Sequence, residues 1–238
     1  MTLVKARDLG VDFPIYGGKS RSLKSTFLRA ATGGAIAEDA GHRMVVRALD
    51  KLSFDWAEGE RIGLVGHNGS GKTTLLRAVA GIYEPSSGTI EAHGRIASML
   101  SITLGMDAEA SGYENIFLRG TILGLRRKET MRVVEDVCEF SELGDYIHMP
   151  MRTYSSGMAM RLMFAISTSV EADIVLMDEW LSVGDAAFTE KAQKRLMQLI
   201  DRAKLLVIAS HNLELIRNIC TRVVHLEHGR IVEPAAPS

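Results

Sequence analysis

Four residues at fixed spacing carry the first chemical signal: Gly66, Gly71, Lys72 and Thr73, in the stretch "GHNGSGKTTL" that follows "RIGLV" and precedes "LLRAVAGI". Glycines at such places let backbone N–H groups converge on phosphate oxygens without interference from a Cβ. A helix starting there adds its positive N-terminal end. The pattern G-x-x-x-x-G-K-[ST] predicts a nucleotide cradle over Gly66, His67, Asn68, Gly69, Ser70, Gly71, Lys72, Thr73 and Thr74. Within it, Lys72 is expected to reach the β- and γ-phosphates and the Thr73 hydroxyl to ligate Mg2+. The plain alternative is a glycine turn beside a solvated lysine, which the strand before and the helix after disfavour.

Such a cradle needs a carboxylate on the metal side, and "ADIVLMDEW" supplies one. Residues 174–177 read as a buried strand, and Asp178 follows where open α/β sheets place ligands. Asp178 is therefore the expected metal-side acid, and Glu179 is placed to polarise an attacking water. His211 closes another apolar strand over 205–210 and is a candidate contact to the γ-phosphate from the opposite side. Alone, a strand-end histidine is more often a structural residue.

These groups must be held by regular elements. Loose alternation predicts a strand near Leu3 to Phe13, "LDKLSFDW" alternates again, and "GERIGLVG" reads as a buried strand ending at the glycine loop. "DIVLMDE" and "KLLVIASH" are further strands, while "GTIEAHGRIASML" and "RVVHLEHGRIVE" read as hairpins. Residues 73–82 suit a helix, and the pattern turns helical from Tyr113 to about Val170. Inside that stretch Met131, Val134, Val137 and Cys138 are expected to share a face opposite Glu129, Arg132, Glu135 and Glu139. Strands alternating with helices predict a mainly parallel sheet covered on both faces, with a helical insertion from about 110 to 170. Residues 17–47 differ: Lys19, Arg21, Lys24 and Arg29 cluster beside Leu23, Phe27 and Leu28, which suits a short basic amphipathic helix. Residues 1–47 hold eight bases (Lys5, Arg7, Lys19, Arg21, Lys24, Arg29, Arg43, Arg47) against four acids (Asp8, Asp12, Glu38, Asp39), although the whole chain has a net charge of −1.

That near-neutral balance gives no support for a nucleic-acid partner bound non-specifically. Cys138 and Cys220 form no CxxC pair, which suits a reducing cytosol. No run of 18 uncharged apolar residues exists to span a bilayer, and "MTLVKARDLG" lacks the apolar core of a secretory signal. His225 and His228 in "HLEH" have no third ligand in sequence, so a zinc site is not expected there.

One further segment discriminates among phosphate-cradle proteins. "YSSGMAMRL", residues 154–162, resembles the LSGGQ signature of ABC transporter ATPases, and the order cradle, signature, "LMDE", "SVGD" and histidine spans nearly the whole chain. With "GYENIFLRG" before it and "DEWLSVGDAAF" after it, the variant is similar to ATP-binding subunits of exporters for lipid-linked polysaccharides such as O antigen, capsule and teichoic acid. The resemblance implies an α/β P-loop NTPase core at about 1–109 and 171–238, an antiparallel β subdomain, and a helical subdomain at about 110–170. It further implies a head-to-tail homodimer sandwiching two ATP molecules, with Ser155, Ser156 and Gly157 of one subunit meeting the γ-phosphate held by the other. Ser182 and Asp185 fall where the family crosses the dimer interface. The adenine is expected to stack on Phe13, with Tyr16 as the second choice. The family's glutamine before "GYENI" is missing, and Asp107 or Glu109 lies in that loop instead. The implied activity is ATP hydrolysis coupled to polysaccharide export, with a membrane-spanning permease as partner, at the cytoplasmic face of the inner membrane. The competing reading is a soluble ABC-type ATPase not coupled to transport. Ribosomal members usually carry two cassettes and DNA-tethering members insert long coiled coils; this sequence has one cradle and no such insertion.

Overall fold

The structure is a computed structural model, which describes residues 2–15, 35–38, 44–100, 102–179 and 186–232. The first elements are β1 (Thr2–Pro14), β2 (Ala35–Glu38), β3 (Met44–Ala57), β4 (Arg61–Val65), α1 (Lys72–Val79), β5 (Ser87–Ala92) and β6 (Ile96–Ser98). Then come α2 (Gly112–Ile122), α3 (Arg127–Ser141), α4 (Ser156–Thr168), β7 (Ile174–Asp178) and α5 (Ala186–Arg202). The last are β8 (Leu205–Ala209), α6 (Leu213–Ile219), β9 (Arg222–Glu227) and β10 (Arg230–Val232). The chain forms two units, one of residues 1–94, 176–179 and 204–238, the other of residues 95–175 and 180–203.

In the first unit a mainly parallel sheet runs β10, β9, β4, β8, β7. β4 pairs parallel with both β8 and β9. Both of its faces are covered, as its composition requires: Ile62, Leu64 and all of β8 are essentially inaccessible. The carboxyl ends of β4, β7 and β8 lead to Gly66, to Glu179 and to Ser210, so the chemistry-bearing residues leave from one edge of the sheet.

Beside it lies an antiparallel sheet in the order β2, β3, β1, β5. Here the structure corrects one expectation: "GTIEAHGRIASML" is not a hairpin. β5 pairs with β1, from Val4 opposite Ala92 to Gly10 opposite Ser87, and β6 belongs to the other sheet. The break falls at Gly94, whose φ of 133° turns the chain. Immediately after it, Arg95 N donates to Asp173 Oδ2 (2.9 Å) and Arg95 O accepts from Ile174 N (3.0 Å). The closing hairpin of β9 and β10 forms as read, with Arg230 opposite Glu227. Ala35–Glu38 and residues 44–47 of the basic stretch are strand, paired with each other. Leu23, Phe27, Leu28 and the four bases beside them lie outside the described residues.

The second unit is built of helices with local start signals. Ser111 and Glu114 form a reciprocal capping box at α2, and Ser155 accepts from Met158 N at α4. Phe140, Phe164 and Phe188 form an aromatic cluster in its core. Arg195 grips Asp136 through Nη1 and Nη2 and donates from Nε to Thr168 Oγ1 (2.8 Å), joining α5 to α3 and α4. The α3 face differs from the one the periodicity suggests. Val137 and Phe140 are buried, whereas Met131 is 52% exposed, because the buried stripe passes through Thr130 instead. Among the described residues no helix is long and apolar enough to cross a membrane.

Candidate functional site

The cradle begins where β4 runs out. Gly66 takes φ +153°, and a Cβ there would lie 2.2 Å from Leu226 O, so only glycine allows the loop to pass β9. The loop is fastened below by Gly229 N donating to Ser70 O (2.9 Å) and by Asp50 N donating to Gly229 O (2.9 Å). These bonds tie the loop to the turn between β9 and β10 and to β3. Gly71 then caps α1 with φ 108°. Its carbonyl accepts from Leu75 N at 2.8 Å, which starts the helix with its N–H groups toward the loop.

Lys72 is 7% exposed. Its ammonium donates to Gly66 O (2.8 Å) and His67 O (3.1 Å), so the side chain curls over the loop it belongs to. Burial pushes its pKa down, and the charges of Asp178 and Glu179 act against that shift. A cation held in a partly desolvated place by carbonyl oxygens has charge to offer an anion.

Thr73 and Asp178, 105 positions apart, meet: Thr73 Oγ1 donates to Asp178 Oδ2 at 2.6 Å. Glu179 is held at the next position by its own N–H, which donates to Ala209 O (2.8 Å) at the end of β8. Its φ of 70° is a left-handed conformation that costs a non-glycine residue about 1–2 kcal/mol. This strain turns the carboxylate toward β8, where Oε2 accepts from Ser210 Oγ (3.3 Å) and Oε1 lies 3.6 Å from His211 Nε2. Strand ends β7 and β8 thus bring Glu179 and His211 together, although 32 positions separate them in sequence.

These groups line one cavity of about 450 Å3, which also takes in Asn68, Gly69, Gly71, Thr74 and, on its apolar side, Phe13, Val46 and Ala48. Val46 and Ala48 were not singled out by the sequence. The signal was the two-residue period of β3, but knowing that this face meets the cradle requires the pairing of Phe13 with Val46. Of the two aromatic candidates Phe13 lines the cavity, and Tyr16 lies outside the described residues. His67 is exposed, with its ring 4.9 Å from that of His228, and does not line the cavity. Ser70 is fully buried beneath the loop.

The remaining candidates belong to the second unit. Ser155 and Ser156 are exposed at the start of α4, and a Cβ on Gly157 would meet only Ser155 Oγ, at 3.9 Å. Open serines at a helix N-terminus suit an anion. Asp107 and Glu109 are engaged locally: Asp107 Oδ1 accepts from Glu109 N (2.9 Å), and Glu109 pairs with Arg152 (3.1 Å). Ser182 and Asp185 lie outside the described residues. Among the described residues there is no group of three or more metal-binding side chains.

A family model described as ABC transporter matches residues 49–182. An O-antigen export system ATP-binding protein of Yersinia enterocolitica is 46% identical over 233 residues, covering 98% of each chain. A teichoic acids export ATP-binding protein of Bacillus cereus is 34% identical over 230 residues, covering 97% of this chain and 40% of its own. Among solved structures, a dimeric ATP-binding cassette in a post-hydrolysis state, bound to ADP and Pi, superposes over 97% of each chain with a TM-score of 0.68 and 17% identity. That likeness bears on the fold, and it agrees with the α/β architecture expected from the sequence.

Proposed function

The chain belongs to the ABC transporter family, and on that premise we propose that it is the ATP-hydrolysing subunit of an exporter for a lipid-linked polysaccharide. The observation that carries the ATPase part is the convergence of Lys72, Thr73, Asp178, Glu179 and His211, from three separate strand ends, on one cavity. The polysaccharide part rests on the relatives, which are named for O-antigen and teichoic acid export.

ATP is bound with its phosphates against the loop Gly66–Thr74 and its base against Phe13. Lys72 leaves the Gly66 and His67 carbonyls for the β- and γ-phosphates, trading neutral acceptors for charged ones. Thr73 and Asp178 present a hydroxyl and a carboxylate 2.6 Å apart, hard oxygen donors of the kind Mg2+ takes. When bound there, Mg2+ would neutralise charge on the β- and γ-phosphate oxygens. Glu179 orients a water for attack on the γ-phosphorus and takes its proton as the bond to the β-phosphate oxygen breaks and ADP leaves. His211, its Nε2 3.6 Å from Glu179 Oε1, holds the γ-phosphate in line. Ser155, Ser156 and Gly157 act in trans: a second copy of the chain, set head to tail, brings its α4 N-terminus to the γ-phosphate. Closure on ATP drives a membrane-spanning permease, and hydrolysis resets the dimer at the cytoplasmic face of the membrane. A surface that suits docking to the permease lies in the second unit, where Leu104, Leu118 and Ile122 are 53%, 42% and 50% exposed while Ile116 is buried.

Glu179→Gln tests the reading. It removes the base and leaves the shape, so ATP binding is expected to stay within about threefold while turnover falls about a hundredfold or more. The variant dimer is expected to persist on a sizing column in Mg2+-ATP. Turnover near that of the unaltered chain would overturn the assignment of Glu179.

A further inference from the structure

Phe13, the residue proposed for the base, packs against a second aromatic residue that does not line the cavity. Phe13 stands on the cavity wall, and Tyr83 packs against it edge to face, with ring centroids 5.2 Å apart and planes at 76°. Tyr83 is in turn gripped by Arg77, in the last turn of α1. Tyr83 N donates to Arg77 O (3.3 Å), Arg77 Nη1 donates to the Tyr83 hydroxyl (2.9 Å), and the guanidinium carbon lies 5.6 Å from the ring centroid. The chain that follows is fastened to the end of β1. Ser86 N donates to Gly10 O (2.8 Å), and Ser86 Oγ accepts from Asp12 N (2.9 Å). Asp12 is clamped from the other side by Arg47 through two bonds, of 3.0 and 3.1 Å.

An exposed aromatic ring at the end of a strand has two rotatable bonds and loses their freedom when a base stacks on it. Here that freedom is already restricted. Backbone pairing with Val46 fixes the Cα of Phe13, Asp12–Arg47 and Asp12–Ser86 fix the strand end, and the T-shaped contact with Tyr83 acts on the ring itself. An edge-to-face contact also orders a ring that lines the cavity. We propose that Tyr83, held by Arg77, is a positioning residue that pre-sets Phe13 for the nucleotide base. Through Arg77 it links the base platform to the same helix whose first turn cradles the phosphates. The inference rests on the reading of the cavity as an ATP site with Phe13 at the base.

The test separates base from phosphate. Affinities for ATP and for inorganic tripolyphosphate, both with Mg2+, are measured by calorimetry or competition on the full chain. The set comprises Phe13→Ala, Tyr83→Leu, Tyr83→Phe and the double variant Phe13→Ala/Tyr83→Leu. Tyr83→Leu is expected to weaken ATP about three- to tenfold and to leave tripolyphosphate unchanged. Tyr83→Phe keeps the ring and loses only the Arg77 bond, so its loss for ATP is expected to be smaller than that of Tyr83→Leu. Once Phe13 is alanine there is no ring to position, so adding Tyr83→Leu is expected to cost nothing more. Equal losses for ATP and tripolyphosphate would overturn the proposal by showing that Tyr83 acts on the cradle through α1. So would additive losses in the double variant, or unchanged ATP affinity in both Tyr83 variants. If the unaltered chain binds neither ligand, it is the ATP-site reading that fails, and the proposal fails with it. If Phe13→Ala leaves ATP affinity unchanged, the platform assignment fails and the proposal with it, while the ATP-site reading stands.

Discussion

Gly71 and Gly59 have the same kind of backbone, with φ of +108° and +89°, but a methyl group would meet different surroundings at each. At Gly59 nothing lies within 4 Å, whereas at Gly71 an added Cβ would lie 2.8 Å from Ala48 O and 3.0 Å from Leu49 Cδ2. The left-handed backbone costs alanine about 1–2 kcal/mol at either position. At Gly71 the added contact also falls well inside the roughly 3.5 Å optimum for non-bonded atoms. β3 cannot yield, because Asp50 N is bonded to Gly229 O and Leu49 is paired with Val11 of β1. The cradle loop must therefore move, by about half an ångström. Hydrogen bonds from its N–H groups to charged phosphates are worth about 1.5–3 kcal/mol each. Losing about 2 kcal/mol among them weakens ATP about thirtyfold. The expected outcome is that Gly71→Ala binds ATP about thirtyfold more weakly, while Gly59→Ala loses about 1–2 kcal/mol of stability and keeps its affinity within about twofold. Calorimetric titration with Mg2+-ATP and urea unfolding of both variants give the comparison. Equal affinities in the two would refute the reasoning, because they would mean that the close contact at Ala48 does not set the loop.

Gly157→Asp is expected to place a carboxylate against the partner's γ-phosphate and to abolish ATP-dependent dimerisation. Mixed with Lys72→Ala subunits, it is expected to leave at most one working site per heterodimer, which turnover at varied mixing ratios will read. Neutralising Lys19, Arg21, Lys24 and Arg29 together to Gln is expected to reduce export, or the stimulation of ATPase activity by the exported substrate, in the assembled transporter while leaving nucleotide binding intact, because clustered bases favour anionic lipid headgroups and pyrophosphate. Export unchanged at low and physiological salt would remove any transport role from that segment.

The legible and illegible parts of the site divide along a physical line. The side of the cavity proposed for the phosphates is readable because each of its parts is local: the glycine spacing sets the loop, the loop starts the helix, and an acid after a buried apolar run marks a strand end. Even the meeting of Thr73 with Asp178 follows once both strands are taken to be parallel members of one sheet. The apolar wall proposed for the base is not readable in this way, because it depends on which strands pair. Val46 and Ala48 enter the cavity only because β3 lies antiparallel to β1, and sliding that pairing by one residue would turn both to the other face. The same dependence hid the fate of β5. Its alternation is that of a hairpin strand, and nothing in "EAHGRI" says that the turn at Gly94 hands Arg95 to Asp173, 78 positions away. Tyr83 falls in the same class, since its contact with Phe13 exists only when the chain leaving α1 is laced by Ser86 to the end of β1. A motif therefore records the glycine loop and the start of its helix, whereas the apolar wall of the cavity is set by strand register. Register is stored in long-range bonds such as Asp12–Arg47, which no short stretch of sequence contains.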